Sequence, residues 1–487
     1  MAFAGRVPSL CVLALFLLGA TSQRPALHQF VERMRAASGE PYRYHISSVS
    51  VSAVDGLDVT TRTDTAGMQY LSRVCQGDLC TGNYFDGTLM YGVTINDTAL
   101  ASSLSPSKFI RALRIVSSGF FTDAAFERTG GTLSDLGTMQ RDGKTLRAIG
   151  VSAPGASPLI VLVDPKTFLV DSVRDWKGEY SYRDADYRRT GPLMLPYEID
   201  ESAGTTQRYT SREVIAAPFE TPHGIAAVSA GAATLPMSGT TPSVPCTFAG
   251  LLRRCMIDTG NSGVAISREL AETLGLAPIG EFEVHGLGRY ATEVVRGGPL
   301  TVGNKTFGTA KYIVLHDIHQ YGYDVVLGAD VLANTVVSID YAAKTVTLDP
   351  PGAPSATSMP LGFINFVPVV PVALGSTVAL LAVDTGDEST INLSYDYYRA
   401  HPDLFAATDA RSVTGVGGAS EEVLGQIDRV QLGEFRVESQ TIGATRSLRA
   451  TGEGHVGAGF LSHFRVVLDY AHARLGLTPR AGDPAVK

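Results

Sequence analysis

The chain has 487 residues and carries 48 acidic against 40 basic side chains, which gives a net charge of −8 at neutral pH. This length allows two or three domains with sizeable cores, and a mildly acidic chain without a basic run is not expected to bind nucleic acid. The sequence lacks a Gly-x-Ser-x-Gly elbow, a His-Glu-x-x-His pair and a complete phosphate-binding loop. We therefore expect no metal site and no cofactor.

The N-terminus is typical of a secretory signal peptide over residues 1–22. Arg6 supplies the positive charge, Leu10 to Leu18 form a short apolar core, and Ala20-Thr21-Ser22 is a small-residue cleavage site. The apolar core is too short to span a bilayer. We expect an exported protein, periplasmic or secreted, with no membrane span after the signal is removed.

Residues 23–215 predict a separate antiparallel β-rich domain with an N-terminal helix. Apolar residues recur at helical spacing over 27–37. Alternating, β-branched and aromatic runs follow, at 42–54, 69–74, 88–95, 158–163 and 167–176. This order of elements resembles the half-barrel of periplasmic lipoprotein-carrier and lipoprotein-sensor domains. The resemblance implies a lipid or partner site, and a purely structural β-domain is the alternative.

Four cysteines remain after the signal peptide, in two local pairs. Cys75 lies near Cys80, and Cys246 lies near Cys255 on the other side of a probable hairpin turn at 248–251. In an exported protein this even count favours two short-loop disulfides. Four free buried thiols are the alternative.

Punctuated stretches predict the boundaries of the C-terminal half. The Pro-, Gly-, Ala- and Ser-rich residues 216–241 are interpreted as a linker into a first lobe at 242–350. Residues 351–361 are interpreted as a second linker, before a second lobe at 362–480. The uncharged run 363–383 is interrupted by prolines and a Gly-Ser turn, so we expect a strand hairpin rather than a membrane helix.

Each lobe contains an apolar strand that ends in Asp-Thr-Gly, at Asp258 and at Asp384. The surroundings of the two motifs repeat: a Val-Pro dipeptide ends 13 residues before each aspartate, at Pro245 and Pro371. An apolar-Gly-Ala triplet begins 69 residues after Asp258 and 72 after Asp384, and an apolar-Asp-Tyr triplet follows in both copies. Matching landmarks in one order indicate an internal duplication with a period of 126 residues.

The paired motifs and their Gly-rich hairpin tips resemble the pepsin-like and retroviral-type aspartic proteases. The predicted flap tips are Gly286, Leu287 and Gly288 in the first copy and Gly415, Val416, Gly417 and Gly418 in the second. The resemblance implies a mainly β fold, in which a two-lobed pepsin-like or retropepsin-like β-barrel pseudo-dimer follows the N-terminal domain. It also implies a monomer that binds a peptide or protein substrate in an extended conformation.

The resemblance assigns roles to the motif residues. Asp258 and Asp384 would form a catalytic dyad, Thr259 and Thr385 would cross-link the two loops, and Gly260 and Gly386 would permit close backbone approach. Two carboxyls held about 3 Å apart share one proton, because both cannot ionise cheaply. The ionised member can accept a proton from water while the protonated member polarises the scissile carbonyl.

Three positions depart from the family pattern or lack an assigned role. Asn261 and Asp387 follow the motifs, where the family usually has Ser, Thr or Ala. Asp387 is a third carboxylate, which either raises the upper pKa of the dyad or faces solvent. Tyr290 is the candidate flap tyrosine, without an assigned role. The alternative to an endopeptidase is a non-catalytic envelope protein that binds or assembles peptides in the same cleft.

Overall fold

The computed structural model describes residues 26–54, 57–102, 105–202, 204–351, 358–446, 448 and 451–487. The predicted signal peptide lies outside these residues. The described chain is mainly β-structure, with several sheets and a helix near its N-terminus, as predicted. It divides into two compact units: the first takes the chain up to Val74 with Phe85–Thr88 and Pro106–Glu220, and the second comprises Cys75–Tyr84, Leu89–Ser105 and Thr221–Lys487.

The elements of the N-terminal half alternate short helices with antiparallel hairpins. The helices are α1 (26–38), α2 (Lys108–Ser117) and α3 (Ala124–Arg128). The strands are β1 (His45–Val54), β2 (Leu57–Ala66), β3 (Gln69–Gln76), β4 (Leu79–Phe85), β5 (Met90–Val93), β6 (Ala99–Ala101), β7 (Thr132–Arg141), β8 (Lys144–Ser152), β9 (Leu159–Val163), β10 (Val170–Asp175), β11 (Ser181–Thr190), β12 (Leu193–Glu201) and β13 (Thr206–Ile215).

The first unit is built on one large sheet with helices on one face. Its strands lie in the order β3-β2-β1-β13-β12-β11-β10-β9-β8-β7. Helix α1 buries Leu27, Phe30, Val31 and Met34, which share one face because they are three or four residues apart. These side chains pack with buried residues of α2 and of the sheet in a single core.

From Thr221 onward the second unit starts with two strands that lie in the segment predicted as a linker, and its elements then repeat. The strands are β14 (Ala227–Ser229), β15 (Ala233–Pro236), β16 (Ser243–Phe248), β17 (Leu251–Ile257), β18 (Val264–Ser267), β19 (Pro278–His285), β20 (Arg289–Gly297), β21 (Leu300–Val302), β22 (Lys305–Phe307), β23 (Ala310–Leu315), β24 (Val325–Leu327), β25 (Val336–Asp340), β26 (Thr345–Leu348), β27 (Met359–Pro360), β28 (Gly362–Ile364), β29 (Val367–Leu374), β30 (Thr377–Asp384), β31 (Ile391–Ser394), β32 (Asp409–Gly415), β33 (Gly418–Leu432), β34 (Phe435–Thr445), β35 (Gly454–Gly457), β36 (Phe464–Asp469) and β37 (Arg474–Pro479). The helices are α4 (Arg268–Thr273), α5 (Ala329–Leu332), α6 (Tyr395–Ala400) and α7 (Ala458–Leu461).

The duplication seen in the sequence is also present in the strand order of the second unit. Seven strands of the first lobe lie in the order β16-β17-β24-β18-β23-β20-β19, and their counterparts lie in the order β29-β30-β35-β31-β34-β33-β32. In both lobes the strand before the Asp-Thr-Gly motif pairs parallel with the strand before the second glycine turn, as β17 with β24 and β30 with β35. The 363–383 segment forms the predicted hairpin, β29 and β30.

A six-stranded sheet joins the two lobes, in the order β15-β26-β25-β36-β37-β27. At its centre β25 of the first lobe runs antiparallel to β36 of the second, with Val336 opposite Asp469 and Asp340 opposite Arg465. The repeated apolar-Asp-Tyr triplets lie at the ends of these two strands. The lobes are therefore paired by main-chain hydrogen bonds as well as by their shared core.

Both cysteine pairs are bonded, Cys75 to Cys80 and Cys246 to Cys255. The second disulfide joins β16 to β17 across a turn in which Ala249 and Gly250 both have positive φ, the two-residue geometry of a tight hairpin. It therefore braces the strand that leads to Asp258. In the described chain, no helix is both long enough and apolar enough to cross a membrane.

Candidate active site

The two Asp-Thr-Gly loops lie at the carboxyl ends of equivalent strands. Asp258 directly follows β17, and its N–H donates to the Leu327 carbonyl at the end of β24 (3.0 Å). Asp384 is the last residue of β30 and lies opposite Gly457 of β35. Because both loops leave buried parallel strands, each aspartate is held by the sheet of its own lobe.

The two threonines cross-link the loops reciprocally. The Thr259 hydroxyl donates to the Val383 carbonyl (2.5 Å) and accepts from the Thr385 N–H (2.9 Å). The Thr385 hydroxyl donates to the Ile257 carbonyl (2.7 Å) and accepts from the Thr259 N–H (3.1 Å). Both threonines are fully buried. The family resemblance assigned both threonines this cross-linking role. In the structure both hydroxyls and both N–H groups take part in the bonds between the loops.

The glycine of each motif faces the carboxyl group of the other lobe. A Cβ on Gly260 would lie 2.5 Å from Oδ2 of Asp384, and a Cβ on Gly386 would lie 2.6 Å from Oδ1 of Asp258. No side chain fits there, so glycine is required by contact rather than by backbone angle. The two carboxyl groups therefore lie side by side, close enough for each to affect the pKa of the other. Each also accepts from its own loop, Asp258 from the Gly260 N–H (2.8 Å) and Asp384 from the Gly386 N–H (2.9 Å).

The electrostatic surroundings of the two carboxyls differ. Burial, followed by the charge of Asp384, raises the pKa of Asp258 well above its ordinary value. Burial also raises the pKa of Asp384, but the neighbouring His455 opposes that rise. A proton shared by this pair is therefore held mainly by Asp258.

Sequence reasoning missed His455, which lies on β35 immediately before Val456. Its Nδ1 is 3.2 Å from Oδ2 of Asp384 and 3.4 Å from Oδ2 of Asp387. Burial lowers the pKa of His455, but its hydrogen bond to the Asp387 carboxylate and the charges of the surrounding carboxylates raise it by more. A comparison of the two repeats could have found it, because the position that matches His455 in the first copy is occupied by the apolar Val326.

Asp387 is turned toward His455 and is not a solvent-facing residue. Its carboxylate also accepts from the Ser389 N–H (2.8 Å), and its side chain retains 19% of its accessible surface. Burial acts to raise the pKa of Asp387, but the bonds from His455 and Ser389 leave it below the ordinary value. Asp387 also raises the pKa of Asp384, while the histidine between them lowers it. Asn261, its counterpart, accepts from the Gly263 N–H (2.9 Å).

The two predicted flap tips meet each other. The Leu287 N–H donates to the Val416 carbonyl (2.9 Å). A Cβ on Gly288 would lie only 2.1 Å from the Gly417 carbonyl oxygen, so the tip is packed backbone against backbone. Tyr290, two residues beyond Gly288, stacks on His316 with ring centroids 4.7 Å apart.

A second cluster beside the first glycine turn was not predicted. Asp330 of α5 is fully buried and accepts from the Thr94 hydroxyl (2.5 Å) and the Asn96 amide (2.7 Å). Asn96 also exchanges two bonds of 2.8 Å with the backbone of Lys311. The segment Leu89–Ser105 is thereby fixed to the first lobe.

The described residues contain no group of three or more His, Cys, Asp or Glu side chains that could hold a metal ion. The site is defined by two carboxyls presented side by side by paired Asp-Thr-Gly loops of a duplicated β-fold. Residues 244–331 match the family model described as Aspartyl protease, which supports a protease-type function for the chain. The matched range includes Asp258 and ends before the second lobe. Comparison with curated proteins gave no match.

Proposed function

We propose that the second unit is an aspartic endopeptidase of the pepsin and retropepsin type, with Asp258 and Asp384 as its catalytic dyad. The observation that carries the proposal is the reciprocal threonine network, which joins the two Asp-Thr-Gly loops of one chain so that each motif glycine faces the carboxyl of the other lobe. Two similar lobes in one polypeptide supply both halves of the site, so a monomer suffices.

The different surroundings of the two carboxyls assign their roles. Asp258 holds the shared proton and donates it toward the scissile carbonyl oxygen. Asp384, whose ionised form is stabilised by His455, accepts a proton from water as the water oxygen attacks the carbonyl carbon. Asp384 then gives that proton to the peptide nitrogen, the C–N bond breaks to release the amine, and Asp258 takes a proton from a diol hydroxyl as the carboxylic acid product forms, which restores the starting dyad. No metal ion is required for these transfers.

The substrate is proposed to be a peptide or protein in extended conformation, covered by the two flap hairpins. The direct contact between Leu287 and Val416 supports this, because the tips can act as one cover. Extended peptides bind such hairpins by adding main-chain hydrogen bonds in the manner of an extra strand. Export to the periplasm or the exterior belongs to the same proposal, and the two disulfides are compatible with it.

The test is a peptide-library digest between about pH 3 and pH 8, the range over which a carboxyl dyad titrates. Wild type should cleave, and a pepstatin-type inhibitor should block it. Asp258→Asn and Asp384→Asn should each abolish cleavage, and the double variant should be no worse than either single variant. Undiminished cleavage by either variant would refute the dyad. Peptide binding without cleavage at any pH would favour the non-catalytic binding protein instead.

A further inference from the structure

The first unit contains a cavity that proteolysis does not use. Its volume is about 320 Å³, and every residue that lines it belongs to the first unit. Helices α1 and α2 form one wall, and strands of the large sheet, including β1, β11, β12 and β13, form the other. The volume is at the lower end of the range of about 300–1,000 Å³ that small-molecule sites occupy.

Two arginines from opposite walls face this cavity, Arg114 on α2 and Arg212 on β13. Arg114 donates to the carbonyls of Gly67 (2.7 Å) and Met68 (3.4 Å) and to the Ser117 hydroxyl (3.2 Å). Arg212 donates to the Ser48 hydroxyl (3.0 Å) and to the Pro196 carbonyl. These neutral acceptors orient the guanidinium groups without neutralising their charge.

Within the described chain, neither arginine has a carboxylate at ion-pair distance. Burial lowers the pKa of Arg114 to about 10, so it still carries its charge at neutral pH. A buried charge without a counter-charge is unfavourable, and two in one cavity are more so. The protein therefore holds a positive region that an anion would stabilise.

The acidic groups around the cavity are Asp184 and Glu201. Burial raises the pKa of Asp184 to about 7, and its carboxylate accepts a hydrogen bond from the Tyr187 hydroxyl (3.3 Å). Asp184 is therefore only partly ionised at neutral pH. Glu201 is solvent-exposed and pairs with the Tyr180 hydroxyl (3.4 Å), where water screens its charge. Asp184 interacts with Arg212 but is only partly ionised and compensates that charge in part, so the two arginines leave a net positive charge near neutral pH.

Two further features of the lining point to a ligand. The Tyr182 hydroxyl is buried and has no hydrogen-bond partner among the residues described, which is uncommon for a buried polar group. Beside the arginines the wall is apolar, with Met34, Leu113, Val116, Phe121 and Phe168. A ligand that complements both the two arginines and the apolar wall must have an anionic end and an apolar body.

We propose that this cavity binds a small organic carboxylate, with its head group between Arg114 and Arg212 and its apolar body against α1 and α2. Planar guanidinium groups suit a carboxylate because they can donate two parallel bonds to it. The Tyr182 hydroxyl is placed in the same cavity to donate a further bond. This site is independent of the proposed dyad, since all of its residues lie in the other unit.

The experiment is calorimetric titration of the full chain after signal removal with decanoate, using decanol and acetate as probes that each lack one half of the ligand chemistry. Decanoate should bind at one site, and decanol and acetate should bind at least about tenfold more weakly, as expected when a charged pair or the apolar contacts are lost. The proposal would be overturned if decanoate showed no saturable binding, or if decanol bound as tightly as decanoate. Tighter binding of decyl phosphate than of decanoate would overturn the assignment of a carboxylate.

The variants Arg114→Met and Arg212→Met should each weaken decanoate binding at least about tenfold. Arg208→Met is the matched control, because Arg208 lies on the same strand but pairs with Glu198 at the surface (2.8 Å). Wild-type affinity in both cavity variants would contradict the site. Circular dichroism identifies any variant that fails to fold, and Arg114→Lys and Arg212→Lys, which keep the charge, then serve in its place.

A pH series on the unmodified protein provides a test that needs no cavity variant. Asp184 gains negative charge as the pH rises through about 7, so decanoate affinity should fall between about pH 6 and pH 8.5. Arg114 and Arg212 keep their charge across this range. Asp184→Asn should remove the dependence, and a dependence that persists in that variant would contradict the assigned electrostatics.

Discussion

His455 makes the two halves of the candidate dyad unequal. The repeat places an apolar valine at the matching position of the first lobe, so His455 acts on Asp384 more strongly than on Asp258. Asp387 supports the charge on the histidine and also repels charge on Asp384. The three side chains therefore titrate as one group, and the effect of Asp387 on the dyad depends on His455.

Replacing His455 by glutamine should move the acid limb of the kcat/KM profile to higher pH. The active form requires Asp384 to be ionised, and the histidine cation lowers the pKa of Asp384. Without the cation that pKa rises, so the limb should shift upward by about 1 pH unit. The control is His463→Gln, since His463 pairs with Asp483 at 2.9 Å elsewhere in the unit. Equal acid limbs in wild type and His455→Gln would exclude this role.

The sequence alone predicts that Asp387→Ser moves the alkaline limb to lower pH, by removing a negative charge near the dyad. The structure adds an opposing effect, because the loss of Asp387 also lowers the pKa of His455 and so weakens the cation beside Asp384. We expect a smaller shift than a lone third carboxylate would give. The profile of the single variant, measured beside His455→Gln, checks this.

At the scale of elements, the landmarks repeated in the sequence located most of the strands and turns that position the two aspartates. The strand, the Asp-Thr-Gly turn and the hairpin tips have local signatures, and these recur in both copies. Strands β14 and β15 had none, since they lie in a stretch of turn-forming composition and form sheet edges beside β22 and β26. Such strands depend on tertiary pairing, which periodicity does not report.

The reciprocal threonine bonds should support both stability and activity. Thr259→Val removes one hydroxyl and leaves the Val383 carbonyl and the Thr385 N–H unsatisfied in a buried position. Each unsatisfied group costs about 1–3 kcal/mol, so we expect a lower unfolding midpoint in urea and a reduced kcat/KM. Thr306→Val is the control, because Thr306 bonds Thr301 on the exposed face of the first lobe. If the two variants unfold at the same urea concentration, the network does not stabilise the loops.

At the scale of the whole molecule, the path of the chain is more interleaved than its composition suggests. Cys75–Tyr84 and Leu89–Ser105 join the second unit although they precede most of the first. The bonds that hold the later segment connect residues 215 to 236 positions apart. A sequence pattern reports on neighbours along the chain, so it contains no signal for a polar side chain such as Asn96 that is satisfied across this distance. The predicted domain boundaries remain predictions.

Removing the amide of Asn96 should destabilise the second unit. Asn96→Ala takes a donor from the fully buried Asp330 and two bonds from the backbone of Lys311. Asp330 lies two residues beyond Gly328, in the turn that follows the strand bonded to Asp258, so loosening should reach the dyad. We expect a loss of about 1–3 kcal/mol in the free energy of unfolding and a lower kcat/KM. Asn304→Ala, at an exposed amide that bonds the Ala232 carbonyl, is the matched control in urea unfolding. A midpoint for Asn96→Ala equal to that of the control would mean that this segment rests on the lobe without supporting it.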